Sequence, residues 1–204
     1  IHIFVLLIDF TMKTYLFDFD GTLTTKDTFV EFIKYACGAW KFLFGFLLYS
    51  PLMVLMKLRL YPNWKCKQKV FSFFFKGMDH NEFRRYCEQF SEKIEESKNP
   101  AVFDIFLQHI SEGTDVYVVS ASVDEWIMPF CNKYGAKDVI GTKIETDSKG
   151  MLTGRFSTRN CYGQEKVERF KEVEPDRNVY TLFAYGDSRG DKEMIEFADN
   201  GFWV

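Results

Sequence analysis

Three short apolar runs in this 204-residue chain each break off in a knot of small, hydroxyl-bearing and acidic residues. Tyr15-Leu16-Phe17 runs into Asp18-Phe19-Asp20-Gly21-Thr22, Val116–Val119 into Ser120-Ala121-Ser122, and Thr181–Tyr185 into Gly186-Asp187. Apolar runs this short, bounded by turn residues and separated by helical periodicities, read as buried strands. Strands alternating with helices build a parallel α/β sheet, and in such a sheet ligands bind outside the carboxyl ends of the strands. The three knots are therefore expected to meet in one crevice.

The first knot sets the chemistry. Side chains alternate along a strand, so Asp18 and Asp20 point the same way as the strand runs out. Gly21 allows the backbone to turn sharply away. Two carboxylates side by side are costly unless a cation or a shifted pKa relieves them, which points to a Mg²⁺ site or an acid/base pair. Adding Ser120, a lysine at Lys166 and the pair Asp187/Asp191 makes a phosphoryl-transfer set. Asp18 would attack phosphorus, Asp20 would protonate the leaving oxygen and then activate water, and Ser120 and Lys166 would hold the phosphate oxygens. Asp187, with Asp18 and the backbone carbonyl of Asp20, offers the hard oxygen ligands that Mg²⁺ takes.

Between the first two knots lies a different kind of sequence. Asp27 or Thr28 can cap a helix whose apolar positions are Phe29, Phe32, Ile33 and Ala36. Residues 42–56 follow, fifteen residues without a charge, interrupted by Gly45, Ser50 and Pro51. Between Lys34 and Lys76 stand eight Lys or Arg and no Asp or Glu. Two readings fit: a helical subdomain with lysines on its solvated face, or a basic amphipathic patch that rests on an anionic membrane surface. Fifteen residues with an internal Pro fall short of the roughly 20 needed to span a bilayer. Trp40 and Trp64 are either core residues of this segment or interfacial anchors. A cleaner amphipathic helix covers 79–98, capped by Asp79, and another runs from Pro100 to about Gly113. Later elements are a helix around Trp126, Ile127 and Phe130, a hairpin turning at Lys149-Gly150, a helix over 165–172, a further helix at Met194–Phe197, and a final short strand from Gly201.

The ordered motifs resemble the haloacid dehalogenase-like hydrolase superfamily: Asp-x-Asp-Gly-Thr at Asp18–Thr22, a strand ending in Ser120, the lysine Lys166, and Gly-Asp-x-x-x-Asp at Gly186–Asp191. They cover the chain from 15 to 191. The inserted helical segment is similar to the C1 cap of the phosphoserine-phosphatase-like branch, subfamily IB, as is the wording of 119–122, 153–156 and 184–188. That resemblance implies a Rossmann-like parallel α/β core over 12–27 and 99–204 with an all-helical cap over 28–98. It implies Asp18 and Asp20 as catalytic residues, Gly21, Thr22, Ser120, Ala121 and Lys166 as phosphate-binding, Asp18, Asp20 and Asp187 as metal-binding, and Asp191 in support. Phosphoserine phosphatases carry Ser-Gly-Gly where this chain has Ser120-Ala121-Ser122, and a Glu near Asp27 that reads the substrate's amino group. Asp27 is thus the specificity candidate, with a shorter reach. The apolar, basic cap is similar in kind to that of phosphatidylglycerophosphatase C, so the expected substrate is a phosphomonoester, either a lipid phosphate or a soluble metabolite. Asp20 speaks against dehalogenase chemistry, which lacks that acid; a phosphotransferase would use the same residues, and a non-catalytic binding module would be expected to have lost one of them.

Composition sets the remaining bounds. A net charge of −3 gives no indication of a nucleic-acid partner. Five scattered cysteines without metal spacing read as reduced thiols of a cytoplasmic protein. Ser122, His80, His109 and the cysteines have no partner spacing and read as structural or surface residues. Residues 1–11 are apolar but lack a basic start and a cleavage site, and read as an upstream extension or an added edge strand.

Overall fold

The computed structural model describes residues 12–204; the expectation for 1–11 falls outside the described residues. Five parallel strands form the central sheet in the order β3-β2-β1-β6-β7. They are β1 (Met12–Phe17), β2 (Asp115–Val123), β3 (Asp138–Thr142), β6 (Tyr180–Gly186) and β7 (Asn200–Trp203). The chain runs outward from β1 through β2 to β3, then returns to the other side of β1, so β1 flanks the switch point. Its alternation explains the layers. Leu16 faces a cluster with Tyr117, Leu182, Val167 and Phe170 on one side, the last two from α7 (Gln164–Val173). Tyr15 and Phe17 face the other side, against Phe103 and Phe106 of α5 (Pro100–Ser111) and the helix α6 (Asp124–Tyr134).

Residues 28–97 hold four helices and a 3-10 turn: α1 (Thr28–Cys37), α2 (Ala39–Lys57), α3 (Asn63–Phe75), α4 (His80–Ile94) and the turn Glu95–Ser97. Asp27 caps α1 by accepting from the Phe29 amide at 2.9 Å, and Asp79 caps α4 through the amides of Asn81 and Glu82. The hairpin β4 (Ile144–Thr146) and β5 (Leu152–Phe156) turns at Gly150 and joins this layer, its Phe156 ring 5.4 Å from that of Phe71. The cap helices and the sheet share one hydrophobic cluster, in which Phe32 stacks on Trp126 at 4.8 Å.

Two sequence readings need correction. The apolar stretch does not stop at fifteen residues, because α2 runs nineteen residues straight through Pro51. Among the described residues it is the one helix long and apolar enough to cross a membrane by length and composition, and 6% of it is buried. Strand β2 also does not end at Ser120 but continues to Val123, with a register shift between Val119 and Val123.

The return from cap to core is fastened at Glu95. Its carboxylate accepts from Lys133 Nζ at 2.5 Å, Lys98 Nζ at 2.8 Å and Tyr134 Oη at 2.7 Å. Burial works against the charged form, but the hydrogen bonds from Lys133, Lys98 and Tyr134 hold Glu95 down to about 2. The folded pKa lies below the ordinary 4.5, so this stabilisation is complete above 4.5 and is lost as pH falls towards 2. Glu95→Gln is expected to cost about 1 kcal/mol in denaturant unfolding at pH 7. The gap from wild type should close as pH falls from 4.5 towards 2, and a gap that ignores pH would refute the charge account.

Candidate active site

Asp18 sits one residue past β1, its amide still donating to the Tyr185 carbonyl at 2.9 Å. Phe19 turns back into the core, edge-on to Phe130, which leaves Asp18 and Asp20 on the outward side. Gly21 then turns with φ +90°, and a Cβ on it would lie 2.3 Å from Asp187 Oδ2. Only glycine lets the β1 turn lie this close to the end of β6. Thr22 Oγ1 sits between the two strand ends, 3.5 Å from Asp18 Oδ2 and 3.4 Å from Asp187 Oδ1.

Lys166 reaches the same point from the first turn of α7 and is 1% exposed. Its ammonium spends all three protons: on Asp18 Oδ1 at 2.5 Å, Asp191 Oδ1 at 2.5 Å and the Val119 carbonyl at 2.7 Å. Burial opposes its charge, but Asp18 and Asp191 outweigh that and hold its pKa above the usual lysine range. For Asp18, burial pushes the pKa up, against the pull of Lys166. The other oxygen of Asp191 accepts from the amide and hydroxyl of Ser188 at 2.9 and 2.8 Å, closing a capping box around Arg189–Asp191. Asp191 is therefore both a cap and the second anchor of Lys166.

Asp20 is held differently. Its Oδ1 accepts from the Thr28 amide at 2.7 Å, and its Oδ2 accepts from the Ser122 hydroxyl. Trp126 Nε1 donates to Thr28 Oγ1 at 3.2 Å, and Thr28 Oγ1 lies 3.1 Å from Ser122 Oγ. With the Ser122 proton committed to Asp20, Thr28 must donate to Ser122. The result is a one-way chain of donors ending on the carboxylate. Burial, then the charge of Asp27, raises the Asp20 pKa, while the bonds from Ser122 and Thr28 partly offset the rise. Ser122 is thus not a partnerless surface serine, and the sequence reading missed it. His80 likewise has a partner, Glu125, at 2.7 Å.

These groups line one cleft of about 330 Å³. It holds Asp18, Asp20, Gly21, Ser120, Ala121, Lys166, Asp187 and Asp191, with Asp27 at its exposed rim. Thr22 is packed beneath it, and the buried Ser120 hydroxyl accepts from the Ser122 amide at 3.1 Å. Further lining residues escaped the sequence reading: Thr25 and Lys26 after the first turn, Asn63 and Lys67 from α3, Tyr162 from the loop before α7, and Ser188 and Gly190 after β6. A groove of about 590 Å³ adjoins the cleft, sharing Asn63 and Tyr162; Trp64 and Phe156 give it an apolar wall, and Gln68, Arg159, Asn160 and Glu165 a polar one.

Oxygen atoms of Asp18, Asp187 and Asp191 lie within 4.8 Å of one another. Asp191 already accepts through both oxygens, whereas the Asp187 carboxylate is the exposed member of the three and the freest to hold a cation. An all-oxygen set suits a hard ion such as Mg²⁺. Four carboxylates around one buried lysine also leave an excess of negative charge that a dianionic phosphate could not approach without it.

A family model described as haloacid dehalogenase-like hydrolase matches residues 15–196. Protein CicA of Caulobacter vibrioides is 34% identical over 188 residues, covering 90% of this chain and 82% of its own. A protein of Mycobacterium tuberculosis described as a probable phosphatase is 26% identical over 203 residues, covering 88% of this chain and 64% of its own. In structure, a substrate-bound phosphoserine phosphatase superposes with a TM-score of 0.65 at 19% identity, over 92% of this chain and 83% of its own.

Proposed function

The chain belongs to the haloacid dehalogenase-like hydrolases, and within that family we propose that it is a Mg²⁺-dependent phosphatase acting through an aspartyl-phosphate on Asp18. The observation that carries this is the asymmetry of the two aspartates. Asp18 is pinned through one oxygen by Lys166 and keeps the other at the cleft, as a nucleophile requires. Asp20 is shielded and raised in pKa, as a proton donor requires. The probable-phosphatase description of the mycobacterial relative agrees with this reading.

The steps follow from the positions. Asp18 Oδ2 forms a bond to phosphorus as the ester oxygen leaves, taking its proton from Asp20. Each Asp20 oxygen keeps a second lone pair beside its bond to Thr28 or Ser122, so the proton has a place. Asp20, now a carboxylate, takes a proton from water, whose oxygen attacks phosphorus and releases phosphate from Asp18. Ser120 and the turn at Gly21 and Thr22 would hold the phosphate oxygens, with Ala121 beside them, while Lys166, its three protons committed, offsets their charge from below. Mg²⁺, held by Asp18, Asp187 and the Asp20 carbonyl, would supply the positive charge that lets the phosphate approach.

For the substrate, the apolar wall that Trp64 and Phe156 give the adjoining groove favours a phosphate carried on a partly apolar body, a lipid phosphate such as phosphatidylglycerophosphate. In that reading the enzyme works on the cytoplasmic side of a membrane. The soluble alternative, a small metabolite read by Asp27, is the one a phosphoserine-like pocket would imply. Phosphate release from phosphatidylglycerophosphate in vesicles, compared with a panel of soluble phosphomonoesters, tests both. Release is expected with Mg²⁺ and should vanish with a chelator. Turnover of soluble esters alone would overturn the lipid reading, and turnover of neither would overturn the phosphatase.

A further inference from the structure

Helix α2 is apolar on every side, a pattern that fits a helix surrounded by protein or by lipid. Its inner face is covered: Phe42, Phe46, Tyr49 and Met53 pack on the cap, and Gly45 lets it approach α3 so closely that a Cβ would lie 2.3 Å from the Phe74 ring. Its outer face is bare. Trp40, Leu43, Phe44, Leu47, Val54 and Leu55 follow helical spacing along one side and are between 41% and 86% exposed.

The flanking charge says what covers this face, and the helix backbone stays paired along it. Pro51 lacks an amide proton and so frees the Leu47 carbonyl, and the Ser50 hydroxyl donates to that carbonyl at 2.8 Å. The stretch from 34 to 76 that carries the stripe also holds the exposed cations Lys57, Arg59, Lys65 and Lys69 and not one acidic residue. A second copy docked by two-fold symmetry would bring these like charges together. An anionic bilayer would pair with all of them.

We propose that α2 lies in the plane of an anionic membrane surface, its outer stripe seated among the acyl chains and its flanking cations at the headgroups. Crossing is ruled out by the way the chain returns. Residues 58–62 reach about 17 Å at most, short of a hydrocarbon core of about 30 Å. Helix α3, with Lys65, Lys67 and Lys69, is held to the hairpin by the Phe156 amide donating to Gln68 Oε1 at 3.1 Å. The same helix carries Asn63 and Lys67 into the cleft and Trp64 to its groove, so the docked face adjoins the reaction site. The proposal deepens the lipid-phosphate reading but stands on this surface alone.

The test uses the full chain with vesicles of phosphatidylcholine and phosphatidylglycerol. Wild type should sediment with them, and brominated acyl chains should quench fluorescence that Trp40→Phe removes. Leu43→Glu/Leu47→Glu should weaken binding at least tenfold while hydrolysis of soluble p-nitrophenyl phosphate stays within twofold. Binding that persists in p-nitrophenyl-phosphate-inactive protein would fault the phosphatase reading and leave the docking intact. The docking fails if active wild type remains in the supernatant, if alkaline carbonate cannot extract it, or if light scattering shows a dimer that the double variant breaks.

Discussion

Asp18→Asn is expected to lower phosphate release by about 10⁴-fold or more, the scale seen when an enzyme loses its nucleophile. The change is nearly isosteric, and Lys166 keeps Asp191 and the Val119 carbonyl as partners. The fold should therefore survive, and circular dichroism of the variant should match wild type. What disappears is the charged oxygen that attacks phosphorus. Acid-quenched wild type should carry a phosphoryl group on the peptide containing Asp18, and the variant should carry none. Full turnover in Asp18→Asn would end the covalent mechanism; a phosphoryl group found on another residue would move the nucleophile.

Lys166→Met is expected to be the most damaging single substitution for stability. Methionine fills much of the same volume, but it strands Asp18 and Asp191, which are 5% and 1% exposed, without their shared cation. Removing one partner of a buried ionic cluster costs about 3–5 kcal/mol. Urea unfolding should show that loss, and activity should vanish with it. Adding Asp191→Asn removes one stranded charge and should recover part of the stability but none of the turnover. If Lys166→Met unfolds at the wild-type midpoint, the three-way bond is not what holds these strand ends together.

The strand ends were legible in the sequence because each is a local pattern: an apolar run, then residues whose chemistry would be wasteful in a plain turn. Asp18, Asp20, Ser120, Lys166 and Asp187 lie in motifs spaced along the chain, and the parallel order brings them to one cleft. What escaped depends on contacts between distant segments. Ser122 supports Asp20 across 102 residues, and Trp126 reaches Thr28 across 98; neither spacing carries a signature. Asn63 and Lys67 enter the cleft because α3 folds over it, and periodicity along α3 shows which face is apolar but not where the polar face is aimed. The reach of α2 exceeds the charge-free stretch because the helix takes in Lys41 and Lys57, the charges that bound that stretch, and the Ser50 hydroxyl takes over the bond that Pro51 forfeits.

Phe32 of α1 stacks on Trp126 of α6, and Phe83 and Phe90 of α4 close over Phe32 from the cap side. The cap keeps an aromatic interior of its own, in which Phe71, Phe75 and Phe83 pack on one another, but α1 shares Phe29 and Phe32 with Trp126 of the core, and lifting the cap as a rigid body would bare that seam. Cap and sheet, joined through one hydrophobic cluster, are therefore expected to unfold in a single urea transition.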